Sequence, residues 1–292
     1  MTHRVELVLD AHALLGEGAI WDSKKRLLYW VDIEGREVHI YDPTSGADRS
    51  IHVGERVGTV VPRVSGGLML AVESGFAHLD PDTEELVVLC DPAGRDPELR
   101  FNDGKCDPAG RFWAGTITDR DNPGRAALFC LFPDLTSKQM LTGVTNSNGI
   151  AWSLDARTMY YSDTPTATVS AFDYDLDTGG ITNRRPAVVV PGEMGHPDGM
   201  TIDAEGMLWV ALWGGRCVSR WDPTTGRLLG TISVPASHVS SCAFGGPDLR
   251  DLYITTARAG LSDVALRAEP HAGGLFRARP GIRGVPAFAF AG

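Results

Sequence analysis

The chain repeats one pattern six times, and this constrains its fold more than any other feature. Each unit runs through a polar turn, a short apolar strand, a small gap and a second strand. The turns begin at Asp22, Ser65, Asp107, Ser153, Asp203 and Gly246, a spacing of 42 to 50 residues. That period fits four short strands per unit. No long stretch keeps apolar residues at i, i+3, i+4 and i+7 without a turn residue breaking it, and the 34 glycines and 18 prolines imply many turns. The expectation is an all-β chain folded as a six-bladed β-propeller, one domain over residues 1–292. A solenoid built from the same units would need capping repeats, which the sequence lacks. Closing a ring requires a seam, for which the expected strands are Val5–Leu9 and residues 286–290.

Register then becomes geometry. In a propeller the innermost strands run beside a central channel, so equivalent positions lie on one ring. Counting back five residues from each turn start reaches Glu17, Val60, Asn102, Asn148, Asp198 and Ser241. Carboxylate and amide oxygens converging from separate blades make an open site for a divalent cation or a polar ligand. Asp or Asn before Gly is also ordinary turn chemistry, and each of these residues alone reads as a turn former. Their shared register favours a shared site. The third unit is one residue shorter, so aligning it on Gly104 selects Asp103 in place of Asn102. Arg100 and Asn102 can face the same side of an extended segment and offer donors to a polyhydroxylated ligand. The plainer reading pairs Arg100 with a neighbouring carboxylate. His196 is the one histidine beside the proposed site. The connections over residues 118–125 and 257–272 exceed ordinary hairpin loops and are expected to roof the channel mouth.

Other chemistries find less support. The stretch from Asp173 to Gly179 resembles a calcium loop, but its glycine comes one position late and Arg184 stands where the loop needs Glu, so it reads as a hairpin turn. No G-x-S-x-G, H-E-x-x-H or P-loop occurs. Five scattered cysteines (Cys90, Cys106, Cys130, Cys217, Cys242) form no C-x-x-C pair, which points away from a zinc knuckle or a disulfide framework. A formal net charge of −10 repels phosphate backbones and anionic lipid, so neither nucleic acid nor membrane is an expected partner. The start carries no apolar signal core, and a cytoplasmic protein is expected, as a monomer or weak homo-oligomer.

Several of these segments resemble the senescence-marker-protein/gluconolactonase/regucalcin family, over essentially the whole chain. The matching residues are Leu15 to Gly18, Arg100 to Lys105, Ser147 to Ile150, Ser170 to Asp175, Asn183 to Arg185, Pro197 to Met200, Cys242 to Gly246 and Phe290 to Gly292. The resemblance implies a six-bladed propeller and a sugar lactonase using one divalent metal. It implies Glu17, Asn148 and Asp198 as metal ligands, with Asp198 also the suspected base. Arg100 and Asn102 match the family's substrate-binding pair, which favours Asn102 over Asp103. Asp119, in Thr118-Asp119-Arg120-Asp121, stands at the acidic lid position in a segment shorter and differently charged from that of animal members.

The expected reaction is hydrolysis of an aldonolactone, such as glucono-1,5-lactone, by water. The oxygen donors admit Ca, Zn, Mn, Mg or Fe. The alternative is a regucalcin-like calcium-binding regulatory protein that uses the same ligands without catalysis. A third reading, a propeller serving as an interaction scaffold, sits poorly with acids in the channel register.

Overall fold

The computed structural model describes residues 4–94, 96–118 and 122–292. Six four-stranded antiparallel sheets form the ring of a six-bladed β-propeller. Blades 1 to 5 occupy residues 16–52, 57–90, 99–144, 147–189 and 196–233, each a meander in chain order. Blade 6 takes three strands from residues 239–278 and its outermost strand from Val5–Leu9. The seam therefore closes between the N-terminal strand and Leu275–Ala278, with Val5 opposite Ala278 and Leu7 opposite Phe276.

This corrects one half of the expected seam. Residues 286–290 form no strand with Val5–Leu9; they cross the base of the ring, and Phe290 meets blade 2 in a parallel bridge with Arg63. The alternation Pro286-Ala287-Phe288-Ala289-Phe290 has strand character, but Val5–Leu9 already covers the open edge of blade 6.

Apolar side chains on both faces of the inner and middle strands fill the spaces between blades, as in Val57–Pro62 and Leu68–Val72, where every residue is buried. The outer strand Ala47–His52 is mostly exposed, with Ile51 its one buried residue, because the outer edge of the blade meets water. Two turn starts carry a buried tether. Asp107 Oδ2 accepts from Trp113 Nε1 at 2.9 Å and from the Tyr174 hydroxyl at 2.7 Å. Asp203 Oδ2 accepts from Trp209 Nε1 at 2.9 Å and from Arg220 Nε at 2.8 Å. Both aspartates are fully buried, so these bonds offset the desolvation of the carboxylate and pin each turn to its own sheet, and through Tyr174 the Asp107 turn also to blade 4.

The Asp173 segment is a hairpin turn as expected, with Asp175 Oδ1 accepting the Asp177 and Thr178 N–H groups. The connection over 257–272 contains one short helix, Asp263–Ala268, capped by Ser262. Among the described residues no helix is long and apolar enough to cross a membrane.

Candidate functional site

The inner strands do not run straight. Pairing slips between Ser147 and Ile150 in blade 4, between Pro197 and Met200 in blade 5, and between Phe101 and Gly104 in blade 3. These are β-bulges, which re-aim side chains out of the ordinary alternation. Asn148, Asp198 and Asn102 each occupy the first bulge position, so the ladder itself equates Asn102 with the other two and puts Asp103 at the place of Gly149 and Gly199. Glu17 pairs with Val31 one residue ahead of its own bulge. Glutamate is one methylene longer than aspartate. In blades 2 and 6 the slip falls at Gly58 and Ser240, two residues and one residue ahead of Val60 and Ser241, so counting misses the bulge there, and neither Val60 nor Ser241 lines the cavity described below.

The glycines have a reason of their own. A Cβ on Gly149 would lie 2.6 Å from the Asp198 carbonyl oxygen, and one on Gly199 would lie 2.6 Å from Ser241 Oγ. These Asn-Gly and Asp-Gly pairs lie inside strands, where glycine lets neighbouring inner strands approach. They are not turns.

Two buried aspartates at the ends of second strands fix the chain entering the site. Asp32 accepts the Leu14 and Leu15 N–H groups at 2.8 and 2.9 Å, just ahead of Glu17. Asp163 accepts the Asn146 N–H at 2.9 Å, just ahead of Asn148.

Glu17, Arg100, Asn102, Asn148 and Asp198 line one cavity of ≈ 580 Å³ at the channel mouth, together with Asn146, Thr164, His196, Trp213 and the Ala259-Gly260 loop. All five are buried. Arg100 Nη1 donates to Asn102 Oδ1 at 2.8 Å, which places the pair on one side as the sequence predicts. Asn102 Nδ2 donates to the Ser147 carbonyl at 2.8 Å and reaches Asn148 Oδ1 at 3.2 Å. Asn148 Nδ2 donates to Thr164 Oγ1 at 2.7 Å, and the Thr164 hydroxyl donates to the Pro197 carbonyl at 2.9 Å. A chain of hydrogen bonds thus runs from Arg100 through three blades to the residue before Asp198.

The acids are less well served. Glu17 Oε2 accepts the Gly18 N–H at 3.0 Å, and Asp198 Oδ1 is buried without a hydrogen-bond donor among the described residues. The Glu17 and Asp198 carboxyls lie within hydrogen-bonding reach of each other, with the Asp103 charge close by. Burial first, and then the Asp103 charge, pushes Glu17 up to about 8. Burial and the Glu17 charge raise Asp198 well above the usual carboxylate range. Two adjoining buried carboxyls with an orphaned oxygen are stabilised by a positive charge.

The residues present fit a divalent cation. Glu17, Asp198 and the Asn148 amide oxygen are hard donors from three blades, a set that suits such ions. Among the described residues no three His, Cys, Asp or Glu side chains form a metal-binding group, so an amide must complete the set. Asp119 lies outside the described residues, as does the centre of the 118–125 connection. Thr164 and Trp213 had no signal in the sequence: the first sits in a one-turn 3-10 helix, and the second ends the middle strand Leu208–Trp213.

Known proteins resemble this chain over essentially its whole length. The sequence profile of the SMP-30/Gluconolactonase/LRE-like region matches residues 15–258. Regucalcin of Danio rerio is 41% identical over 292 residues, covering 99% of each chain. The Bacillus subtilis (strain 168) protein named "Putative sugar lactone lactonase YvrE" is 41% identical over 288 residues, covering 98% of each. Among solved structures, the calcium-binding protein regucalcin from Agrobacterium tumefaciens str. C58 superposes with a TM-score of 0.94 at 26% identity, covering 99% of this chain and 98% of that one. With its fold, the profile match and these full-length relatives in agreement, the chain belongs to the SMP-30/gluconolactonase/LRE-like family.

Proposed function

We propose that this protein hydrolyses a sugar lactone of the aldonolactone class at the channel mouth, with a divalent cation held by Glu17, Asn148 and Asp198. The observation that carries the reading is the pair of buried carboxyls, Glu17 and Asp198, with its undonated Asp198 oxygen, facing a ≈ 580 Å³ cavity whose other wall carries Arg100 and Asn102. Family membership and a relative named as a sugar lactone lactonase support it.

When bound, such a cation supplies a Lewis acid's charge, which favours negative charge on an ester carbonyl oxygen. The chain's own residues do the rest. Arg100 and the Asn102 amide donate to the hydroxyls of the sugar ring and fix its orientation. Asn148 and Thr164 hold the floor of the cavity in register through their shared hydrogen bond. Asp198, as base, takes a proton from the attacking water as its oxygen bonds to the carbonyl carbon. The ring C–O bond then breaks, and the departing oxygen takes up that proton to become the hydroxyl of the aldonic acid.

The test is a panel of gluconolactone, xylonolactone, galactonolactone and arabinonolactone, assayed with chelator-treated protein resupplied with Ca, Zn, Mn, Mg or Fe. Turnover that depends on an added metal and is lost in Asp198→Asn supports the reading. Metal binding without turnover on any lactone would replace it with the calcium-binding, non-catalytic reading, which the regucalcin relatives make the natural alternative.

A further inference from the structure

The inner strands run the same way around the ring, so residues further along them lie nearer the opposite end of the channel. There Ile20-Trp21, Lys105-Cys106, Thr201-Ile202 and Ala243-Phe244 enclose a second cavity of ≈ 300 Å³. We propose that this cavity binds a small apolar carboxylic acid.

The hollow exists because Ala19, Ala151 and Ala243 put no bulk where larger side chains would fill it. Its volume is that of about ten waters, at the lower end of small-molecule sites. The walls are mainly Trp21, Trp152, Phe244 and Phe288, with Ser153 and Thr201 supplying two hydroxyls, too few for the several hydroxyls of a sugar or aldonate. An apolar ligand body is therefore favoured.

The head group follows from charge. Among the described residues Lys105 is the one charged side chain on the cavity wall. Its ammonium crosses from blade 3 to donate to the Met200 carbonyl of blade 5 at 2.6 Å, which places it between this cavity and the acidic one. An ammonium has three donors, so two remain beyond the Met200 bond. Burial lowers the Lys105 pKa, and the nearby Asp103 charge on the acidic side acts against that and favours the ammonium. A carboxylate entering from the apolar side meets the remaining N–H groups as a charge-assisted partner.

An entry route is present. Residues 285–288 form a strap across the cavity, tied at one end by the Gly284 N–H to the Leu249 carbonyl and at the other by the Phe290 N–H to the Pro62 carbonyl, both at 2.8 Å. Between these ties, residues 285–289 make no main-chain hydrogen bond to any described residue. Displacing the strap breaks apolar packing only, which marks it as an element of low local stability.

The experiment titrates full-length protein with octanoate and with 1-octanol, followed by tryptophan fluorescence and calorimetry. Octanoate is expected to bind saturably at one site, roughly tenfold more tightly than the alcohol. Lys105→Met is expected to bind both alike, and Ala243→Leu, which fills the hollow, to bind neither; Ala151→Leu serves if Ala243→Leu does not fold. Octanoate that fails to saturate overturns the proposal. So does binding that survives the filling variants, or a preference for octanoate that persists without Lys105. None of these readouts involves lactone turnover.

Discussion

The indole of Trp213 lies flat on the imidazole of His238, with ring centroids 4.0 Å apart and planes 14° from parallel. His238 Nδ1 in turn meets the Ala259 carbonyl at 3.0 Å, and since a carbonyl only accepts, that nitrogen carries the proton. Burial lowers the His238 pKa, so the ring stays neutral near pH 7. One histidine thus fixes two walls of the acidic cavity, the Trp213 ring and the Ala259-Gly260 loop.

His238→Ala is expected to loosen both walls while leaving the carboxyls and Asn148 in place. KM for the preferred lactone should rise several-fold with a smaller change in kcat, the signature of lost positioning in the ground state. Steady-state kinetics of the variant check this, and a fall confined to kcat would contradict it.

Asp198→Asn keeps the shape of the side chain and removes its basicity. Turnover should fall by roughly 10²–10⁴-fold, the range for loss of a general base. Metal stoichiometry measured on the same variant separates the two roles of Asp198. Bound metal with lost turnover identifies the base, and near-normal turnover with metal bound removes that assignment.

Arg100 acts through substrate contact and through Asn102, whose Oδ1 accepts its guanidinium at 2.8 Å. Arg100→Ala should therefore raise KM by roughly tenfold, the worth of one or two hydrogen bonds, with kcat reduced less. Equal losses in kcat and kcat/KM would instead place Arg100 in the transition state.

The ring architecture was legible because six turn starts recur at a near-constant period, and Glu17, Asn148 and Asp198 emerged because all three precede glycines in the same register. What counting could not supply was the bulge. Asn102 and Asp103 are adjacent and chemically alike, and only the slip between Phe101 and Gly104 decides that Asn102 faces the cavity with Asn148 and Asp198. In blades 2 and 6 the slip lies at Gly58 and Ser240, so counting back five from Ser65 and Gly246 stopped two residues and one residue short of it, which drew Val60 and Ser241 into the ring without their belonging to it. Residues 286–290 misled for another reason: alternation predicts an extended segment, but not which edge it reaches. Trp213 and Thr164 lie on middle-strand ends and turns, where position in the ring depends on neighbouring blades.

The carboxyl pair also sets the pH response of the metal-free protein. Folding raises Glu17 from its ordinary value to about 8, and raises Asp198 as well, so the folded state holds protons that the unfolded chain releases. Stability from these groups is fully present below about pH 4.5 and is lost as pH climbs toward 8. Each proton so retained gives a slope of up to about 1.4 kcal/mol per pH unit. A divalent cation replaces the protons and cancels the mutual repulsion, so its stabilising effect should grow over the same window. Thermal unfolding in chelator and in calcium or zinc, across that range, measures both curves. The expected outcome is a chelated Tm that falls with pH and a gap between the curves that widens. Glu17→Gln should flatten the chelated curve and shrink the gap, whereas parallel curves for wild type and variant would show that the cation binds elsewhere.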